Sequence, residues 1–409
     1  MRALILNRFN LASTRYHEWA QPGARLVLVT SESGLSGDPD ERVRQLAGYE
    51  RVEIFDDYDE NPAVEDFCIT QFTSGDFDRV LAMSESDILR AARIREALGV
   101  AGQSVASALA FRDKVDMKNH CLTSGVPTAK FAEVRNVSEL REFIEAVGFP
   151  VVVKPRREAG SIGVRVLRAE KDLNDLVVEG YFRGQDDAHL IAEDYIEHDL
   201  YHIDGLIFGG RMLWSWTSHM SSTLGHLVNE PLRSVMLAES DPMLERTRSL
   251  VGAALDALPT PDLAIFHAEL FDNGSHGLLF NEIAARVGGA KVHATLRAAF
   301  GTALIEWYVR QELNSGDGVP PPSSPRTLGG FTMMRPLVGI LREAPEDCPL
   351  EGIEQYQLGA EIGDRLEPAE ASTDSIASFV VLGKDTKEIH RVLDAAEGWF
   401  TSNLSIEPL

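Results

Sequence analysis

Two glutamates, Glu269 and Glu282, stand in the stretch Leu263–Gly289, LAIFHAELFDNGSHGLLFNEIAARVGG, each inside an apolar run. Turn-rich DNGSHG joins the two runs. Alternation puts Ile265, His267, Glu269 and Phe271 on one strand face, and Leu278, Phe280 and Glu282 on one face of the next. A hairpin closed between Gly274 and Gly277 sets Glu269 directly opposite Glu282. Opposed residues have Cβ atoms about 5 Å apart, and like charges there are destabilising. Among apolar neighbours, a dication between the carboxylates relieves that conflict. Arg286, Gly288 and Gly289 follow. The set reads as a Mg²⁺ site with a cationic neighbour, suited to phosphate chemistry. The competing reading, two glutamates on a solvated face, fits the apolar flanks less well.

Other residues carry weaker signals. Lys154 ends the apolar strand PVVVK and precedes Pro155. A lysine there either emerges into water or meets an anion. The loop after it, Glu158-Ala-Gly160-Ser161-Ile-Gly163, is rich in Gly and Ser, so its amides and the Ser161 hydroxyl could cradle phosphate. Hairpin loops are also Gly-rich for conformational reasons alone. Lys114 and Lys118 share a helix face, which by itself reads as a solvated basic face. Glu193 ends an apolar strand and could face a base or simply cap the strand. His267 shares a face with Glu269; a hydrogen-bonded core histidine is the commoner case. Arg286 could bind an anion through its fork or pair with Glu269 or Glu282. Trp214 and Trp216 alternate on one strand, favouring core packing over a pocket wall. No GxSxG elbow or Ser/His/Asp order is present, and Cys121 has no evident activating partner.

The elements that position these groups are legible in outline. Ala3–Leu6, Leu26–Thr30, Arg51–Phe55 and Arg79–Met83 read as strands of a small doubly wound α/β domain. It lacks GxGxxG after its first strand, and so the dinucleotide fingerprint. Ser84 with Asp87 resembles a capping box, and Gly99 closes that helix. Phe111–Gly125 reads as a helix, and Asn136 with Glu139 opens another that stops at Gly148. Pro150–Lys154 and Gly163–Leu167 read as strands, and Leu206–Thr217 as a hairpin turning at Gly209-Gly210. His219–Arg233, with Met220 and His226, is polar and suits a substrate loop. Asp241–Ala257 and Ala294–Glu312 read as helices. Beyond the Pro-rich linker Asn314–Arg326, Gly329–Ile340 and Ser378–Leu382 read as strands and Lys387–Phe400 as a helix.

Composition bounds the partners. The 409 residues are 44% hydrophobic and 25% charged, with a formal net charge of −24. Such a charge argues against nucleic acid or an anionic membrane as the main partner, though local cations can still hold a phosphorylated ligand. No apolar run reaches the roughly 18 residues of a membrane span, and MRALILNRFN reads as a strand, not a signal peptide. Cys68, Cys121 and Cys348 form neither a disulfide framework nor a zinc site, so a reducing cytoplasm is expected.

Taken in order, the pieces resemble the ATP-grasp superfamily, and within it the carboxylate–amine ligases, the dipeptide-forming L-amino acid ligases above all. RDKVDMK resembles the segment whose first lysine, here Lys114, contacts ATP phosphates, and VVVKP the strand of the second, Lys154. EAGSIGV resembles the mobile phosphate lid. IAEDYIEHDLYHIDG resembles the adenine segment, with Glu193 and the backbone of Asp194, Tyr195 and Ile196. HAEL and NEIAARVGG resemble the metal strands, with Glu269 and Glu282 as ligands and Arg286 near the transferring phosphate and the substrate carboxylate. Two places depart from the pattern. His198 and Leu200 replace a glycine and a ribose-binding glutamate, so Asp199 or a nearby polar group would serve ribose. Ala284 replaces an asparagine two residues after the second metal glutamate.

The resemblance implies an ATP-grasp fold of mixed α/β and α+β type. Residues 1–108 would form the N-terminal doubly wound α/β domain, 109–195 the lid subdomain, and 196–409 the large subdomain with a C-terminal α+β extension. It implies ATP and Mg²⁺ as cofactors, with Mn²⁺ an alternative. It implies a ligase joining an amino acid or similar small acid to an amine through an acyl phosphate, and a homodimer. Arg286, Lys154 and His267 would be catalytic; Arg286, Gly288, Gly289, His219 and Trp216 would face substrate. A bicarbonate-using carboxylase and a non-catalytic ATP-binding protein are the alternatives.

Overall fold

The structure, a computed structural model, describes residues 1–182, 190–221, 230–274, 277–314 and 318–409. The chain opens with four parallel strands, β1 (Arg2–Asn7), β2 (Arg25–Ser31), β3 (Arg51–Phe55) and β4 (Arg79–Leu81), in spatial order β3-β2-β1-β4. Parallel strands covered on both faces read as continuous apolar runs. Leu4, Leu6, Val27 and Val29 pack with Val64, Ala91 and Ile94 of two flanking helices. Ala3, Ile5, Leu26 and Leu28 share a core with Trp307 and Tyr308, so the C-terminal part of the chain covers the second face.

The helix Asp87–Leu98 ends at Gly99, whose φ of 67° suits glycine. Its start corrects the capping-box reading. Asp87 is fully buried and accepts from Ser84 Oγ at 2.6 Å and Arg90 Nη1 at 2.7 Å, as part of the core rather than as a cap. The helix expected from Phe111 begins at Lys114, because the Asp113 carboxylate accepts from the amides of Val115 and Asp116. Asn136 does cap its helix, accepting from the Glu139 amide at 3.0 Å.

A second sheet holds β5 (Phe131–Val134), β6 (Val151–Pro155), β7 (Arg165–Leu167) and β8 (Leu190–Asp194), antiparallel in the order β5-β8-β6-β7. Helices Val137–Val147 and Glu170–Val178 cover it through Leu140, Phe143, Leu173 and Leu176.

The rest of the chain supplies β9 (Asp199–Phe208), β10 (Arg211–Met220), β11 (Leu232–Met236), β12 (Leu263–Asp272), β13 (Leu278–Ala284) and β14 (Leu328–Met334). They are followed by β15 (Gly339–Glu343), β16 (Ile353–Leu358), β17 (Arg365–Leu366), β18 (Ala377–Gly383) and β19 (Ser405–Glu407). Eight of these form one sheet, β13-β12-β9-β10-β11-β14-β18-β16, and β17-β15-β19 form a small one. Gly209 and Gly210, with φ of 61° and 72°, make the tight turn between β9 and β10. Two sequence expectations fail here. Ala294–Glu312 is two helices, Val292–Phe300 and Leu304–Asn314, broken where Gly301 turns left-handed at φ 71°. Gly329–Ile340 is two strands in different sheets, because Pro336 follows β14 and cannot donate to a ladder. No helix among the described residues is long and apolar enough to cross a membrane.

Candidate active site

The hairpin of β12 and β13 sets Glu269 opposite Glu282, in the register that alternation implies. A bulge follows at once, because Leu270 pairs with Phe280 and leaves Asn281 as the extra residue. This corrects the placing of Phe280 beside Glu282. Phe280 turns with Leu270 into the core, against Met117 and Cys121 of the Lys114–Thr123 helix. Asn281 Nδ2 donates to Glu269 Oε2 at 3.2 Å, while Asn281 Oδ1 is buried without a hydrogen-bond partner.

Lys114 and Lys118 overturn the solvated-face reading, with exposures of 7% and 0%. Lys114 Nζ donates to the Glu158 carbonyl at 2.6 Å and lies 3.4 Å from Glu282 Oε2. Lys118 Nζ is 2.9 Å from Glu193 Oε1, and Lys154 Nζ is 2.7 Å from Glu193 Oε2. Burial works against the Glu193 carboxylate, but the two ammonium groups outweigh it and hold its pKa at about 2. Lys154 is pushed up, because Glu193 and then Glu282 outweigh the burial that opposes its charge. Lys118 is pushed down, because burial outweighs Glu193.

All of these groups but Lys118 line a cavity of about 1180 Å³ between the second sheet and the large sheet. Its walls carry Lys114, Lys154, Glu158, Ser161, Glu193, Asp194, Tyr195, Ile196 and Asp199, together with Glu269 and Glu282. His219 and Met220 also line it. The loop over the cavity is held in unusual backbone states, with φ of 64° at Gly160, 62° at Ser161 and 69° at Gly163. Gly160 O accepts from Ser372 N at 2.8 Å, so the C-terminal segment touches this loop. The Asp194 and Tyr195 amides donate to the carbonyls of Lys130 and Pro150 at 3.0 and 3.2 Å, so the structure commits them internally. His198 stacks on Phe271 with centroids 3.7 Å apart, and Leu200 is buried in the core. His219 Nε2 is 3.6 Å from Asp199 Oδ1. Most of the expected substrate loop, including His226, lies outside the described residues.

His267, Arg286, Gly288, Gly289 and Trp216 are absent from the walls of that cavity. Trp216 is a correction: it is 2% exposed, donates from Nε1 to Leu237 O at 3.2 Å and packs edge-on against Phe300. Trp214 and Met236 join the same core. Arg286 pairs with neither Glu269 nor Glu282. Its Nε donates to Glu85, which also takes Arg112, and it borders a smaller cavity of about 250 Å³ with Met83 and Tyr308. Burial raises the Glu85 pKa, but Arg286 and Arg112 outweigh it and bring the group to about 2. Sequence reasoning missed Glu85; the available signal was an acid directly after an apolar strand end.

It also missed His202 and Asp204, which alternation in LYHIDG places on one face of β9. Asp204 accepts from both imidazoles, His202 Nδ1 at 2.6 Å and His267 Nδ1 at 2.8 Å. His267 Nε2 lies 3.7 Å from Glu269 Oε1. Burial disfavours the imidazolium of His267, but Asp204 and then Glu269 outweigh it and lift the pKa to about 9. Burial likewise opposes the Glu269 carboxylate, and His267 followed by Lys154 brings it to about 2. Gly288 packs on this cluster: an added Cβ would stand 2.5 Å from Asp204 Oδ1 and 3.0 Å from His267 Nδ1. Gly288→Ala is expected to lower the melting temperature, costing about 1–3 kcal/mol. Thermal unfolding that matches wild type would show that the loop has room.

Residues 119–208 match the model of the ATP-grasp domain. The chain has an ATP-grasp fold. The chain is 24% identical over 349 residues to the L-arginine-specific L-amino acid ligase of Bacillus subtilis, covering 84% of each. It is 34% identical over 91 residues to a D-alanine--D-alanine ligase of Clostridium botulinum, a match spanning 22% of this chain and 29% of that one. The crystal structure of an L-amino acid ligase from Bacillus licheniformis superposes with a TM-score of 0.75 at 17% identity, covering 100% of this chain and 98% of that one.

Proposed function

We propose that the protein is an ATP-dependent carboxylate–amine ligase acting on an amino acid. The observation that carries this reading is the convergence of Lys114, Lys154, the Glu158–Gly163 loop, Glu269 and Glu282 on one cavity. Similarity to an amino acid ligase over most of both chains supports it. A substrate carboxylate oxygen attacks the γ-phosphorus, and the bond to the β-phosphate oxygen breaks, releasing ADP. An amine nitrogen then attacks the acyl carbon of the acyl phosphate, loses a proton, and expels phosphate.

No covalent attachment to the protein is required, which agrees with the lack of an activated nucleophile among the described residues. Lys114 and Lys154 offset negative charge on the phosphates, and the Ser161 loop excludes water from the acyl phosphate. Glu193 keeps Lys154 charged and fixed at 2.7 Å. Adenine rests along the segment Glu193–Ile196. Asp199 serves ribose, since Leu200 beside it on the cavity wall carries no polar group. Arg286 is held by Glu85 and stands off the wall of this cavity, so it acts on the transferring phosphate through its charge rather than by lining the pocket. It feels the charges of both Glu282 and Glu269. His267 stands behind Glu269 on the same strand face.

Glu269 and Glu282 suit a divalent cation: both are hard oxygen donors, directly opposed, and Asn281 Oδ1 is a buried acceptor without a partner beside them. Mg²⁺, or Mn²⁺ in its place, would neutralise charge on the β- and γ-phosphate oxygens when bound there. Ala284 adds no oxygen donor to this set.

The test is ADP release over a panel of amino acids taken in pairs. Turnover with at least one carboxylate–amine pair is expected; no ADP with any pair would overturn the reading. Bicarbonate-dependent release would indicate a carboxylase, which the amino acid ligase relatives do not favour. A homodimer is proposed as the solution state, to be checked by sedimentation.

A further inference from the structure

The buried cluster behind Glu269 is ordered as a chain across three strands. Ser234 Oγ on β11 is 2.7 Å from His202 Nε2 on β9. His202 Nδ1 is 2.6 Å from Asp204 Oδ2, and Asp204 Oδ1 is 2.8 Å from His267 Nδ1 on β12. His267 Nε2 ends the chain 3.7 Å from Glu269 Oε1. An ionised carboxylate only accepts, so Asp204 makes both imidazoles present Nδ1–H to it. That choice leaves the other nitrogen of His267 to face Glu269. Gly288 closes the cluster from outside, since even a methyl group there would meet Asp204. Three strands and a loop thus converge to fix a single ring orientation.

We infer that Asp204, anchored by His202 and Ser234, is a positioning residue that orients Glu269 for the divalent cation by holding His267. Groups behind a metal ligand typically fix its orientation, and their loss weakens metal binding about 10–100-fold. The same three side chains, His202, Asp204 and His267, bring donor atoms within 4.8 Å of one another and could be taken for a metal site themselves. Their direct hydrogen bonds at 2.6 and 2.8 Å assign those atoms to each other instead. None of the three lines the nucleotide cavity.

The inference rests on Glu269 as a metal ligand, so the test reads metal binding apart from turnover. Mn²⁺ is titrated into the full chain with ADP and free Mn²⁺ is followed by electron paramagnetic resonance, for wild type, Asp204→Asn, Ser234→Ala and Glu269→Gln. Asp204→Asn is expected to weaken Mn²⁺ binding about 10–100-fold. Its metal-free affinity for ADP, by calorimetry, stays within about twofold, which a merely structural defect would not spare. Ser234→Ala shifts Mn²⁺ affinity in the same direction by less. Wild-type Mn²⁺ affinity in Asp204→Asn overturns the inference, and so does an additional Mn²⁺ equivalent that is lost with Asp204. Should Asp204→Asn also lose ADP, Ser234→Ala decides: an unchanged Mn²⁺ affinity there overturns the inference. If wild type and Glu269→Gln bind Mn²⁺ alike, Glu269 is no ligand, and the metal reading falls together with the inference.

Discussion

Glu282→Ala is expected to lose at least about 100-fold in ADP formation while its stability changes by no more than about 1 kcal/mol. Two opposing terms keep the fold nearly indifferent. Glu282 faces Glu269 across the hairpin, so its removal relieves a repulsion between like charges. It also ends the 3.4 Å contact with Lys114, whose Nζ keeps the Glu158 carbonyl as a partner. The Glu282 side chain is 28% exposed, so no large cavity results. The catalytic cost is asymmetric, since one of the two carboxylates proposed to hold the divalent cation disappears. Steady-state ADP release and urea unfolding on the same preparation check both halves. Wild-type turnover in the variant would remove Glu282 from the metal site.

Glu193→Gln is expected to destabilise the protein by about 3–5 kcal/mol near neutral pH, because it leaves Lys118 and Lys154 buried without their counter-charge. The loss is pH-dependent with a defined direction. The Glu193 carboxyl sits at about 2 in the folded chain against an ordinary 4.5. Its contribution is therefore present above about pH 4.5 and fades as pH falls towards 2. A shift of that size corresponds to on the order of 3 kcal/mol. Wild type and variant should differ most in urea unfolding at pH 6–7 and approach each other as acid is added. Curves separated equally at pH 7 and pH 3 would show that the lysines do not depend on this carboxylate. Nucleotide affinity should fall as well, since Lys154 loses the group that fixes it.

The sequence by itself determined what local geometry decides. A hairpin with a short loop fixes register through its own alternation, so Glu269 opposite Glu282 was readable, and so was the Asn136 cap, which involves residues only three apart. The order of Lys114, Lys154, the Gly/Ser loop and the two glutamate-bearing strands resembles ATP-grasp from the sequence alone. The bulge at Asn281 was not readable: it exists so that Phe280 can enter the core around Met117 while Glu282 stays opposite Glu269, and that core comes from another part of the chain. Lys118 looked like a surface residue because its partner, Glu193, lies on a distant strand.

The tertiary structure alone decided the rest. Arg286 meets Glu85 across 201 residues, and His267 meets Asp204 across 63. Trp216 faces Phe300 in the core rather than a substrate, because the Val292–Phe300 helix packs over that part of the sheet. Desolvation makes each of these pairings strong, and desolvation depends on what the whole chain folds over a residue. Periodicity reports which face a side chain takes; it does not report what covers that face.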